Sequence, residues 1–400
     1  MKSRLIRCIA ALTCLVSLMG ADWRQFRGNN TDSVAVSDTL PTTWSEKENI
    51  AWKVPLKGRG LSGPVIVGDR VYITSSSGVG QTRLHVQCFS VKTGELAWER
   101  QFWATGRTQT HKKMCVATPT PASDGKRLFA FYSSNDLACL DLDGNLLWFR
   151  GLTHDFPNAS NSLGMASSPV VVGDTVIVQV ESDADSFSTG IDVATGVARW
   201  RKDRPRKVNW TSPAVLKTKS GETLALLQSS VGLSAVKPKT GEVVWSFDGG
   251  ASTTPSCTVA DGTVYVPSSG VTALLPQGKE KPKVVWKSGR LSPSTPSPLV
   301  YGGRVFAVNR AGALTAADAK TGDVVWQMRM QGPFTSTPVA AGGLLYFFNE
   351  KGLGQVVKPS EKAGEIVGTS PLEATILCSP AVAGNALYVR SDGHLWKISK

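Results

Sequence analysis

The chain has 400 residues, 41% hydrophobic and 19% charged, with Gly 39 and Pro 22. It holds no linker, no low-complexity tract and no long amphipathic helical pattern, which leaves a turn-rich soluble β-protein. The formal net charge is +13, yet the cations are mostly scattered. For a chain that begins with an export signal this excludes nucleic acid and favours an envelope protein or an acidic polymer as partner.

Residues 1–21 read as that signal. Lys2, Arg4 and Arg7 form a basic region, Ile9 to Met19 a short apolar run, and Gly20 and Ala21 a cleavage site. The run is too short to span a bilayer, so no transmembrane segment is expected. Cys14 follows Ala11-Leu12-Thr13, which is not the pattern of a lipidation site, so lipid anchoring there is not expected. The mature protein is expected to be exported, to the periplasm or beyond, and to be monomeric. Residues 22–48 are an N-terminal extension, and residues 49–400 are the folded domain.

From Leu61 onward one pattern returns at intervals of about 40 to 55 residues: small-polar-Pro, a Val-rich run, a Gly/Asp turn, two further apolar runs parted by a Thr-Gly turn, and a Trp. A period of this length with four short strands per unit is the signature of a β-propeller blade. Eight openings occur, at Pro64, Pro121, Pro169, Pro213, Pro255, Pro298, Pro338 and Pro380. Each is followed by a tight-turn pair such as Gly68-Asp69 or Gly302-Gly303, which supplies the positive φ of a hairpin. The closing aromatics are Trp98, Trp148, Trp200, Trp245, Trp286 and Trp326, with Ile366 taking that place in the seventh unit. The eighth unit stops after its third strand, and residues 49–53 with Trp52 offer the missing one. The expected fold is therefore all-β: an eight-bladed propeller of four-stranded antiparallel blades, its ring closed by an N-terminal strand.

Several polar residues need a role. Ser62, Thr118, Ser168, Ser212, Thr254, Ser297, Thr337 and Ser379 should ring the central channel and permit close strand packing. Beyond the signal lie Cys88, Cys115, Cys139, Cys257 and Cys378, an odd set at no metal-like spacing. Four read as small core residues, and Cys115 as a loop thiol whose reactivity is open. Glu181, Asp183 and Asp185 alternate as in a calcium loop but lack its Gly and terminal Glu, and read as solvated carboxylates. His154 beside Asp155 is no triad, because sequence neighbours rarely face one another.

Loop length points to a working face. Connections after second and fourth strands share one face and are long in blades one to four: residues 75–83, 99–117, 149–165, 181–189 and 201–209. The opposite face has only tight turns. Long loops on a rigid scaffold are where function concentrates. The expected partner-binding face comprises Arg107, His111, Lys112, Lys113, His154, Asp155, Asn158, Arg201, Arg204, Arg206 and Trp210, with Asn161 nearby. No catalytic, cofactor or metal residue is assigned.

The set Ser-Pro-Val, Gly-Asp, Val-Tyr, Thr-Gly-Glu and Trp resembles the pyrroloquinoline-quinone (PQQ) type propeller repeat. With WRQFRGNN (residues 23–30) and HDFPNASNSLGMASSPVV (residues 154–171) the chain resembles exported PQQ-like repeat proteins of planctomycete-type bacteria, and the BamB-like group. The resemblance implies an eight-bladed propeller of the cell envelope that acts as a non-enzymatic interaction and assembly scaffold. It also raises a PQQ-dependent quinoprotein dehydrogenase of alcohols or sugars, with PQQ and calcium as cofactors. The vicinal cysteine pair of such enzymes is absent here, and no acidic set matches their calcium positions. A third reading is a polysaccharide-binding propeller using Trp103, Phe156 and Trp210 as stacking platforms.

Overall fold

The computed structural model describes residues 22–37, 39–160 and 163–400. The expected signal with Cys14, and Asn161, lie outside the described residues. Eight antiparallel four-stranded blades follow one another around a ring, the seventh extended by a fifth strand from the N-terminal extension. The first blade comprises Val65–Val67, Arg70–Ser77, Arg83–Ser90 and Leu96–Trp103, and the same meander recurs to the eighth. Inner strands are buried on both faces because blades stack against each other; Thr175–Val180 is buried throughout. Outer strands alternate, as in Ala198–Asp203, because one side meets solvent. Cys88, Cys139, Cys257 and Cys378 are core residues as expected, and Cys115 is just as buried. Burial pushes the Cys115 thiol above its ordinary value, so it is inert rather than reactive.

The ring closes as the two termini require. Ile50–Pro55 pairs antiparallel with His394–Ile398, with Trp52 opposite Lys397. Each outer strand carries a bulge just before its closing position, for example between Cys88 and Phe89 opposite Trp98 and Leu96. The bulge turns the indole toward the next blade, where it lies on the glycine of the third-to-fourth-strand turn. Trp98 lies on Gly144 (φ 86°) and donates to Leu142 O at 3.1 Å. Trp52, Trp148, Trp200, Trp286 and Trp326 likewise donate to Val91, Val193, Pro238, Ala319 and Ser360 carbonyls.

Two register assignments need correction. In the seventh blade Ile366 opposes Val357, and Gly368 opposes Val356 in the place that Trp holds elsewhere. A Cβ on Gly368 would stand 1.9 Å from Thr42 O, so the N-terminal extension occupies the room a tryptophan would need. Ile366 itself is exposed. In the fifth blade Ser256-Cys257 stands where Ser-Pro opens other blades, and Pro255 lies two residues early, as the inner hydrogen bonds below demand.

The tight-turn face is not bare. Residues 22–37 run across it and attach to the first strands of successive blades. Trp23 exchanges backbone hydrogen bonds with Ile66, Gln25 Oε1 accepts from Val171 N at 3.0 Å, and Thr31 Oγ1 from Val215 N at 2.9 Å. Val34–Ala35 adds a parallel strand to Val339–Ala341. Arg27 is buried and donates to Cys257 O at 2.8 Å and to Thr258 Oγ1. The extension thus satisfies inner strand edges that would otherwise line an open channel.

Candidate functional site

With one end covered, the channel becomes a blind cavity of about 260 Å³ that opens toward the long-loop face. Phe26 lines it together with Leu61, Lys113, Met114, Trp210 and the inner Ser and Thr residues. The inner hydroxyls are already engaged. Gly63 N donates to Thr120 Oγ1, and Thr120, Ser168, Ser212, Ser256, Ser297 and Thr337 each donate a backbone N–H to the hydroxyl of the next blade, ending at Ser379. These bonds span 2.8–3.1 Å. The ring expected at Thr118 and Thr254 is thereby formed by Thr120 and Ser256. Tying neighbouring strands is what the hydroxyls do, in keeping with the expected role in close packing.

The belt has one gap. The first blade contributes Gly63, which has no hydroxyl to accept from Ser379. There the buried Arg390 guanidinium spans blades eight and one, and its Nη1 donates to Ser62 Oγ at 2.8 Å and Thr74 O at 2.7 Å. Burial holds its pKa below the ordinary value, and Nη2 has no partner among the described residues.

The long loops do gather on one face, and they interlock. Asp185 accepts from Asn158 Nδ2 at 3.0 Å and pairs with Arg206 at 2.9 Å. Trp210 Nε1 donates to Gly164 O at 2.9 Å, and His111 N to Leu163 O at 3.0 Å. Asp155 pairs with Arg150 in the same loop cluster. Lys113 reaches Glu350 of the seventh blade at 2.8 Å, and the Lys112 carbonyl accepts from Arg59 at 2.7 Å. Arg107, His111, Lys112, His154 and Lys207 are exposed on this face.

Other expected roles change. Glu181 is not a solvated carboxylate: it is buried, and Arg204, itself only 8% exposed, pairs with it at 2.7 Å. Burial lifts the Glu181 carboxyl, opposed by Arg204 and Asn209. Arg204 therefore holds the loop base instead of meeting a partner. Arg201 lies over Phe156 at 4.5 Å, and Phe156 is buried in a stack with Phe187, which removes it as a stacking platform. Trp103 is exposed and Trp210 half-buried. Sequence reasoning missed Phe26, Arg27 and Arg390. An aromatic and an arginine within Trp23-Arg24-Gln25-Phe26-Arg27 were the available signal for an anchored plug, whereas nothing local marks Arg390.

A calcium-bound quinone would need carboxylates at the cavity, and none of the residues lining it is Asp or Glu. Among the described residues no group of three or more His, Cys, Asp or Glu is placed to hold a metal. The cavity residues do not fit PQQ with calcium.

Comparison with known proteins agrees with the architecture. BamB from Moraxella catarrhalis is 20% identical over 88% of this chain and 97% of that one, with a TM-score of 0.65. A europium-containing methanol dehydrogenase is 14% identical over 95% and 98%, with a TM-score of 0.69. The quinohemoprotein alcohol dehydrogenase of Comamonas testosteroni is 12% identical over 95% and 80%, with a TM-score of 0.69. At these identities the likeness is one of fold. No curated protein matches the sequence. The family model described as outer membrane protein assembly factor BamB matches residues 34–178, 85–261, 235–352 and 310–400. Those matches run through every blade, and the chain belongs to the BamB family of PQQ-type repeat propellers.

Proposed function

We propose that this protein is an interaction and assembly scaffold of the cell envelope, and that its partner docks on the long-loop face of blades one to four. The observation that carries this reading is the interlocking of that face. Asp185, joined to both Asn158 and Arg206, and Trp210, joined to Gly164, make three separate loops into one surface before any partner arrives. A preorganised surface loses less entropy on binding. Family membership supports the envelope setting, and no helix of the described residues is long and apolar enough to cross a membrane.

The exposed cations Arg107, Lys112 and Lys207 have no ion pair among the described residues, so they are available to an acidic partner and would raise its association rate at low salt. The triple variant R107E/K112E/K207E tests this. It should keep the wild-type melting temperature and lose most of the protein recovered by affinity capture from envelope extract. Equal recovery by variant and wild type sinks the assignment of this face. Dye-linked oxidation of alcohols or aldoses after addition of PQQ and calcium would instead favour the dehydrogenase reading.

A further inference from the structure

The first blade carries a constellation that the loop face does not use. Ser77 ends the strand Arg70–Ser77, His85 lies on Arg83–Ser90, and Glu99 on the outer strand Leu96–Trp103. Ser75 opposes His85, Ser77 opposes Arg83, and Gln87 opposes Glu99. Alternation along each strand therefore places Ser77, His85 and Glu99 on one side of the sheet. His85 Nε2 lies 2.6 Å from Ser77 Oγ, and His85 Nδ1 lies 2.6 Å from Glu99 Oε1. A carboxylate only accepts, so Nδ1 carries the proton and Nε2 accepts the Ser77 hydroxyl. Hydroxyl, imidazole and carboxylate in this order generate a nucleophile for acyl transfer.

The surroundings suit that chemistry. His85 is fully buried, and burial holds its pKa below the ordinary value, although Glu99 pulls the other way. The ring is thus neutral near pH 7 and able to take a proton. Lys57 Nζ stands 3.3 Å from the same Glu99 oxygen, and Arg83 borders the outer end of the group. Ser77 is half-buried, and the residues after it, Gly78, Val79 and Gly80, are exposed. Gly78 (φ 79°) and Gly80 (φ 63°) hold left-handed backbone that turns the chain away at this point. On the same side of the sheet Arg83 lies over Trp103 at 5.3 Å, and Trp103 is 62% exposed. A solvent-facing aromatic ring capped by a cation thus lies on the hydroxyl's side of the sheet, with Arg83 between them.

We propose that Ser77, His85 and Glu99 form a second functional site, which hydrolyses small carboxylic esters whose apolar part rests on Trp103. Ser77 Oγ adds to the ester carbonyl while His85 Nε2 takes its proton. Collapse of the adduct breaks the acyl C–O bond, and the imidazolium returns the proton to the departing alkoxide. Water then attacks the Ser77 ester and gives its proton to His85, which passes it to the leaving Ser77 oxygen as the carboxylic acid departs. Glu99 is the positioning residue that holds Nδ1–H and stabilises the imidazolium. This activity is independent of the scaffold reading.

The test uses the purified full chain. Incubation with a fluorophosphonate followed by peptide mapping should place the adduct on Ser77. Hydrolysis of p-nitrophenyl acetate and butyrate should fall at least about 100-fold in Ser77→Ala and in His85→Gln. Glu99→Gln should lower kcat about tenfold or more with KM little changed. Folded wild-type protein that carries no adduct on Ser77 overturns the proposal without recourse to any variant. Hydrolysis that survives Ser77→Ala overturns it as well.

Discussion

Trp200 and Trp245 close adjacent blades and meet very different neighbours. Trp200 lies on Gly241 of the fourth blade (φ 69°) and donates to Pro238 O at 2.7 Å. Trp245 is buried more deeply still, yet its indole N–H has no partner among the described residues. The cause lies in the fifth blade. There Gly270–Gln277 and Glu280–Ser288 run on to a tight hairpin at Gly278-Lys279, so the wider Thr-Gly turn that offers a carbonyl elsewhere is missing. Gly278 has nothing within 4 Å of its Cβ position. A cavity of about 400 Å³ opens instead, lined by Trp245, Leu216, Pro276 and several lysines. A propeller is held by many equivalent junctions, and it tolerates one that lacks the shared hydrogen bond.

The seam between blades eight and one sets the outer limit of this contrast. It is built from segments more than 300 residues apart, yet Trp52 keeps the regular bond to Val91 O at 3.1 Å. Deleting residues 49–53 removes that bond and leaves the strand His394–Ile398 as an open apolar edge. The melting temperature should fall by roughly 10 °C or more, as read by thermal denaturation. An unchanged value would mean that closure contributes nothing.

Substituting the indoles by phenylalanine isolates the hydrogen bond. Trp200→Phe leaves Pro238 O without this donor, whereas Trp245→Phe removes a donor that is already unpaired. Urea denaturation should show Trp200→Phe to be more destabilising by about 1–2 kcal/mol. Equal losses would mean that the two junctions differ in appearance only.

The turn glycines give the smallest effect. A Cβ at Gly241 would stand 2.6 Å from the Trp200 ring, while Gly278 (φ 64°) faces open space. Both replacements carry the strain of left-handed backbone, about 1 kcal/mol, and only Gly241→Ala adds a clash. Gly241→Ala should therefore lower the urea midpoint further than Gly278→Ala, and the reverse order would mean that contact with the Trp200 ring does not set the cost.

Much of this is legible in the amino-acid sequence. Prolines, turn glycines and tryptophans recur at fixed offsets, and each is a local requirement of a hairpin or a bulge. Blade number, strand order and closure through Trp52 follow from them. The fifth blade carries Gln277-Gly278 where other blades carry Thr-Gly, and nothing local says that Trp245 thereby loses its acceptor. The candidate face was only partly legible. Loop length named loops that do meet one another, but Arg204 and Phe156 looked exposed in sequence and are buried by Glu181 and by Phe187 with Arg201. Charge and aromaticity alone do not say which side of a loop faces solvent.

Local chemistry settles the repeat, and through it the architecture, because period-2 strands and positive-φ turns are decided within a few residues. Long-range contacts are what make residues 22–37 cover one end of the channel, give the place of Gly368 to Thr42, let Arg390 bridge the gap left by Gly63, and bring Ser77, His85 and Glu99 together. Each of these joins residues on different strands or different turns of the ring. Such contacts depend on strand register and on the closing of the circle, which no local pattern encodes.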